Sequence, residues 1–232
     1  RRHSFPTRRS SDLGFRVGII GQPDITCKDD IARLGEPRLF WGVSGGSVDS
    51  LVSNYTATKK FRNSDDYTPG GTNNKRPDRA SLVYTNLIRQ YFKNTVPIVL
   101  GGIEASLRRV THYDFWSNKL RKPILFDAKA DYLLYGMADN SVVEFAKALD
   151  EGISPLQVKG LSYISKEPNT EYITLPSHQE CLDDKLKFMD MFDDFYHNND
   201  PISARGLCQK VDERYLIQNP PAPYLTTEEL DG

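Results

Sequence analysis

Three short apolar runs, each ending in glycine, constrain this chain more than any other feature. Leu39–Ser44 runs into Gly45-Gly46, Pro97–Leu100 into Gly101-Gly102, and Tyr132–Tyr135 into Gly136. Runs of this length that are apolar on both faces are the pattern of parallel strands covered by helices on two sides. Val17–Ile20 has the same character and predicts a further strand. Between the runs, apolar residues recur at helical spacing: Val48, Leu51, Val52 and Tyr55; Leu82, Val83, Leu87, Ile88, Tyr91 and Phe92; Val142, Phe145, Ala146 and Leu149. Alternating strand and helix predicts an α/β class, a Rossmann-like, doubly wound, mostly parallel sheet. Its ligand edge lies outside the carboxyl ends of the strands, where these glycines fall.

Past Gly152 the pattern changes. Gly160–Ser165 and Glu171–Leu175 flank Pro168-Asn169-Thr170, which predicts a β-hairpin. A long helix is predicted next, opened by Ser177 with Glu180 as a capping box and closed by Pro201. Its stripe is Leu182, Leu186, Met189, Phe192, Phe195 and Tyr196, read as ordinary core packing. The expected organisation is a leader over 1–13, a Rossmann-like domain over 14–157, and a hairpin, helix and proline-rich linker over 158–232. Ser4 to Leu13 resembles one reading frame of a sequencing adapter, so the leader is expected to be non-native. Gly14 followed at once by strand-like residues predicts that a helix and a strand precede it in the intact protein, leaving the sheet truncated at its N-terminal strand. The proline spacer and the Thr227–Leu230 helix start predict that the chain also continues past Gly232.

At 232 residues and 38% hydrophobic content, the chain can bury one α/β core with an appendage. No apolar run approaches the roughly 18 residues of a membrane span, so a membrane role is not expected and a cytoplasmic location is. The net charge is -1, of which Arg1, Arg2, Arg8 and Arg9 against Asp12 contribute +3, so the body alone stands at -4. That balance disfavours a nucleic-acid partner. Cys27, Cys181 and Cys208 are odd in number and far apart, which suits a reducing compartment and makes no metal-ligand spacing.

Several segments are candidate sites. Gly42-Val43-Ser44-Gly45-Gly46 matches the G-x-S-x-G elbow of α/β hydrolases, with Ser44 as nucleophile. The plainer reading is a tight turn with Ser47 as N-cap and Asp49 in the first turn of a helix at Val48. Gly101-Gly102 opens a helix and is followed by Glu104, Arg108 and Arg109; the glycines serve turn geometry or let backbone N–H groups meet an anionic or polar ligand, and Arg108 and Arg109 read as ion-pairing or phosphate-facing. The loop from Tyr67 to Arg79 is long and polar: Gly70 and Gly71 give it turns, Lys75, Arg76 and Arg79 are candidates to hold a carboxylate or phosphate, and Asp78 reads as a helix N-cap. His112–Trp116 reads as a packed aromatic segment, with acid–base chemistry by the His112 and Asp114 pair as the alternative. The candidate ligand-binding set is therefore Gly45, Gly46, Gly70, Gly71, Lys75, Arg76, Arg79, Gly101, Gly102, Glu104, Arg108 and Gly136, with no catalytic residue and no metal ligand.

Gly14 to Leu230 resembles the N-terminal portion of the YgiQ-type radical SAM family. The segments that carry the resemblance are Phe15–Ile20, Tyr67–Gly71, Lys75–Ala80, Pro97–Arg109, Asp127–Asp131 and Gln218-Asn219-Pro220-Pro221. It implies a cobalamin-binding-like Rossmann domain followed by a barrel whose CxxxCxxC motif holds a [4Fe–4S] cluster that binds S-adenosylmethionine. Neither that motif nor the D-x-H-x-x-G cobalamin signature occurs in this sequence. The expectation is an accessory domain, inactive by itself, whose partner is the barrel of its own parent protein. The alternatives are a non-catalytic corrinoid- or nucleotide-binding module and, further off, a Ser44 hydrolase.

Overall fold

In chain order the elements are α1 (Lys28–Ala32), β1 (Trp41–Ser44), α2 (Ser50–Asn54), α3 (Ala80–Tyr91), β2 (Ile98–Gly101), α4 (Gly102–Ser106), β3 (His112–Asp114), β4 (Lys119–Arg121), α5 (Ile124–Ala128), β5 (Tyr132–Leu134) and α6 (Asp139–Asp150). Then follow a 3-10 turn at Pro155–Gln157, β6 (Leu161–Ser165), β7 (Ile173–Leu175), α7 (His178–Asp183), α8 (Lys185–His197), β8 (Leu207–Val211), β9 (Arg214–Gln218) and α9 (Thr227–Asp231). The structure, a computed structural model, describes residues 14–231; the expectation about the leader at 1–13 lies outside them.

One seven-stranded sheet, in the order β1-β2-β5-β6-β9-β8-β7, runs through the molecule. β1, β2 and β5 are parallel, β6 and β9 continue the sheet antiparallel, and β8 and β7 are parallel to each other. The Rossmann-like α/β class read from the sequence holds, and the sheet crosses residue 157 without a break through the β5–β6 pair. Side chains alternate across a strand, and here each face has its own core. Ile98 and Leu100 of β2 and Leu133 of β5 pack with Ile88 of α3 and Ile124 and Leu125 of α5. Val99 and Leu134 point the other way, to Val142 and Phe145 of α6. Phe145 is met edge-on by Phe40 at 5.3 Å and by Tyr132 at 5.1 Å.

Some expectations need correction. Val17–Ile20 forms no strand: it pairs with none among the described residues, Val17 and Ile19 are 43% and 57% exposed, and Gly18 lies against Leu34. A strand needs a ladder partner, which apolar residues alone do not supply. The runs at 160–165 and 171–175 are not a hairpin: β6 pairs with β5 and β9, and β7 with β8. The hairpin of this half is β8–β9, turning at Asp212, whose φ of 53° does the work usually left to glycine. The long helix is two helices. Asp184, extended at φ -136° and ψ 119°, ends α7 and caps α8 by accepting a hydrogen bond from the Leu186 N–H at 2.8 Å. The Ser177–Glu180 capping box forms, and α8 ends at His197, before Pro201. The first predicted helix starts at Ser50 rather than Val48, with Asp49 in place of Ser47 as its cap. The segment at His112–Trp116 lies in a small β3–β4 hairpin, where Trp116 packs on Tyr55 at 4.3 Å while Tyr113 and Phe115 are exposed.

Candidate functional site

The carboxyl ends of β1, β2 and β5 form one rim because the three strands are parallel and in register. Glu104, in the first turn of α4, is buried at the centre of its β1–β2 part. Its carboxylate accepts hydrogen bonds from the Ser50 N–H at 3.0 Å, the Ser50 hydroxyl, and the Ser81 N–H at 2.9 Å. Those N–H groups belong to the first turns of α2 and α3, so one carboxylate caps two helices and meets the positive ends of both. Gly45 is a glycine for the same reason: a Cβ there would stand 2.6 Å from Glu104 Oε2.

The cationic candidates are also tied inward. Arg76 donates to the Gly45 carbonyl at 2.9 Å and pairs with Asp65 at 3.2 Å, both side chains almost fully buried. Its Nε is buried without a partner. Asp65 further accepts from Thr68 Oγ1 at 2.7 Å and the Tyr67 N–H at 2.9 Å. Burial pushes its pKa up, and these bonds together with Arg76 outweigh it and hold the carboxyl low. Arg108 pairs with Asp49 and donates to the Glu104 carbonyl at 2.9 Å. Arg79 pairs with Asp114 at 2.7 Å; burial raises that carboxyl, but the bonds from Ser117 and Arg79 win and bring it to about 2. Asp78 does not cap α3. It accepts instead from Asn54 at 2.9 Å and Tyr55 at 3.0 Å, and Arg79 occupies the cap position.

Of the remaining candidates, Gly70 and Gly71, at φ +84° and +73°, form an exposed turn closed by the Gly71 N–H to Thr68 carbonyl bond at 2.9 Å. Lys75 is exposed. Gly101 is extended, while Gly102 and Gly136 take φ of +77° and +71° at the ends of β2 and β5. Gly46, at φ +100°, turns its N–H onto the Ser44 hydroxyl at 3.0 Å. The Nδ1 atoms of His112, His178 and His197 are engaged by the Val110 carbonyl, the Thr111 hydroxyl and the Asp193 carbonyl respectively. The structure thus joins Gly45, Gly46, Arg76, Glu104 and Arg108 in one braced corner. It sets Arg79 beside that corner, Gly136 further along the rim, and the Gly70–Gly71 turn outside.

Arg109 lies in a candidate segment but outside the candidate ligand-binding set. It is 6% exposed, and its guanidinium lies over the rings of Tyr135 at 4.4 Å and Phe195 at 4.3 Å. It donates to Gln218 Oε1 at 2.9 Å, the Ser106 carbonyl at 2.6 Å and Asn199 Oδ1. No carboxylate is among these partners, and burial lowers its pKa to about 10. The guanidinium thereby joins α4, the end of β5, the end of β9 and the turn after α8. The available signal was that Arg109 and Gln218-Asn219 lie in two of the segments that carried the family resemblance.

The donors present do not fit an iron–sulfur cluster. Cys181 and Cys208 are buried, and burial raises both thiols, Cys181 to about 11, whereas a cluster needs thiolates. Among the described residues no group of three His, Cys, Asp or Glu stands together. Nor is any helix among them long and apolar enough to cross a membrane.

Fold and rim together define the class: a Rossmann-like α/β domain whose strand-end edge is braced by its own ion pairs. The comparisons with known proteins make it specific. The chain belongs to the Radical SAM N-terminal family, whose model matches residues 6–232. It is 62% identical over 219 residues to a UPF0313 protein of Fusobacterium nucleatum, covering 94% of this chain and 39% of that protein. A UPF0313 protein of Thermotoga neapolitana is 51% identical over 221 residues, again covering 94% of this chain and 39% of the relative. Among solved structures, the radical S-adenosylmethionine methyltransferase TsrM from Kitasatospora setae is similar over 68% of this chain and 24% of its own, with 18% identity and a TM-score of 0.43. The chain therefore spans about two fifths of the length of these curated relatives.

Proposed function

We propose that this chain is the N-terminal accessory domain of a radical SAM, [4Fe–4S]-dependent protein, inactive by itself, whose glycine rim faces the barrel of the parent protein. The observation that carries this reading is the family match over residues 6–232, in a chain that spans only 39% of its relative. A [4Fe–4S] cluster held by three thiolates of the parent protein would supply the electron for reductive cleavage of S-adenosylmethionine to methionine and a 5′-deoxyadenosyl radical. What this chain's own residues do is hold a firm, accessible rim. The pairs Arg76–Asp65 and Arg108–Asp49 and the Glu104 cap fix the turn after β1 against the start of α4. The left-handed glycines Gly102 and Gly136 keep side chains off the strand ends, so another surface can approach the backbone closely.

The test is reconstitution of the full-length gene product with iron and sulfide. The expected result is absorbance at roughly 400 nm from thiolate-to-iron charge transfer, with cleavage of S-adenosylmethionine on reduction, while the 232-residue chain treated in the same way shows neither. A well-reconstituted full-length protein lacking both properties would overturn the reading.

A further inference from the structure

A surface helix ordinarily carries one apolar stripe, turned to the core, with polar residues elsewhere. The α7–α8 segment carries two. Phe188, Met191 and Phe195 of α8 pack into the core with Ile173, Leu175 and Leu207. The second stripe, Leu182, Leu186, Met189, Phe192 and Tyr196, continues across the break at Asp184, and these residues are 48% to 66% exposed. The expectation that this stripe is ordinary core packing is therefore met by Phe195 alone. Phe192 and Tyr196 stack with ring centres 6.4 Å apart, which gives the stripe a flat aromatic end. A groove beside it is lined by Pro176, Phe188, Met189 and Phe192 together with Asp190, Asp193 and Asp194.

We infer that this face is the docking surface for the remainder of the parent polypeptide, which meets it through an apolar segment bearing Lys or Arg. The inference rests on the reading above that the chain is part of a longer radical SAM protein. Three observations favour that occupant. First, the relatives carry more than half of their length outside the matched region, since the chain covers 39% of them. Second, five half-exposed large side chains present on the order of 500 Å², which suits a domain interface within one chain but falls short of the roughly 800 Å² per partner of a standard association between separate proteins. A covalent tether makes the smaller area sufficient by raising the effective concentration. Third, the segment from His178 to His197 carries Glu180, Asp183, Asp184, Asp190, Asp193 and Asp194 against only Lys185 and Lys187. A second copy would bring two such acidic faces together, whereas a basic segment complements one. The face also leads to the rim: Phe195 and Asn199, at the end of α8, clasp Arg109 beside Tyr135 at the end of β5.

The experiment places a benzophenone amino acid at Met189 of the full-length gene product, with equal parts of nitrogen-15-labelled and unlabelled protein mixed before irradiation. The expected adducts join Met189 to peptides of the same copy from outside residues 14–231. Mixed-isotope adducts would assign the face to a second copy, and an absence of adducts outside 14–231 would leave it solvated; either result overturns the inference. A second measurement uses the full-length Leu186→Asp/Phe192→Asp variant. Release of the docked parts is expected to raise protease cleavage between them roughly tenfold, whereas Ile153→Asp, at an exposed apolar residue after α6, leaves it unchanged. Equal cleavage in the two variants also overturns the inference. Cluster absorbance and S-adenosylmethionine cleavage are read on the same preparation. Their absence counts against the proposed function alone, and absent or mixed-isotope adducts in a protein that shows both count against the docking face alone.

Discussion

Replacing Arg109 by methionine keeps most of the aliphatic stem and removes the guanidinium, so it isolates what that buried charge does. Three hydrogen bonds from a charged donor go, to Gln218, Ser106 and Asn199, at about 1.5 kcal/mol each on the low side. Two ring contacts, to Tyr135 and Phe195, go as well, at about 1 kcal/mol each. Against this stands the relief of an unfavourable term. Burial brings the Arg109 pKa from 12.5 to about 10, so the folded chain carries roughly 3 kcal/mol for keeping this group charged. The balance is a loss of about 3 kcal/mol, which in a domain of this size lowers the melting temperature by roughly 10 °C. Circular dichroism melts measure it, and hydrogen exchange locates it: α8, β8 and β9 should lose more protection than β1 and β2, because the lost bonds tie the former to α4. Arg109→Lys should lose nearly as much, since an ammonium cannot span three acceptors in a plane. A methionine variant that melts at or above the parent temperature would refute the reasoning and make Arg109 a buried charge that the fold merely tolerates.

Two further predictions follow the same logic. Glu104→Ala removes the acceptor shared by the first turns of α2 and α3, with Asp49 still capping α2, and should cost about 2 kcal/mol, with Glu104→Gln intermediate because the amide keeps one acceptor; melts of both variants that match the parent within error would refute the shared acceptor. His112 is half-buried with its Nε2 atom buried and unpartnered, and desolvation, the largest cause, lowers its pKa from 6.5 to about 4. Between those values the unfolded chain binds a proton that the folded chain refuses, so stability should rise by about 3 kcal/mol from pH 4 to pH 6.5. His112→Gln should flatten that part of a urea-midpoint profile, and an unchanged slope would exclude the histidine as its source.

The central strands were legible because their signal is local: Pro97–Leu100 and Tyr132–Tyr135 are apolar on both faces and each ends in glycine. The far half of the sheet was not. In β8, Cys208, Gln209 and Lys210 interrupt any apolar run, yet Gln209 is buried because its side chain is satisfied by the Thr111 N–H and the Pro176 carbonyl, partners far away in sequence. Which strand pairs with which is a property of the whole sheet, and a plausible turn at Pro168-Asn169 did not decide it. At the rim the sequence showed the charged residues but not their partners. Arg76 and Arg79 were read as candidates to hold a carboxylate or phosphate and Arg108 as ion-pairing or phosphate-facing; they find Asp65, Asp114 and Asp49, pairings made only by the fold. The stripe on α8 shows the reverse: its helical period was visible, but period alone does not tell how many neighbours a helix has.

The double duty of Glu104 has a mechanical consequence. Because one carboxylate holds the starts of both α2 and α3, the turn after β1 and the long helix against the sheet are geared to a single tooth. A surface that presses on Gly46 or Gly102 cannot shift α2 without loading the cap of α3, which packs on α5 and the core beyond. The rim is stiff at this point, and a push on one helix start is passed to the other.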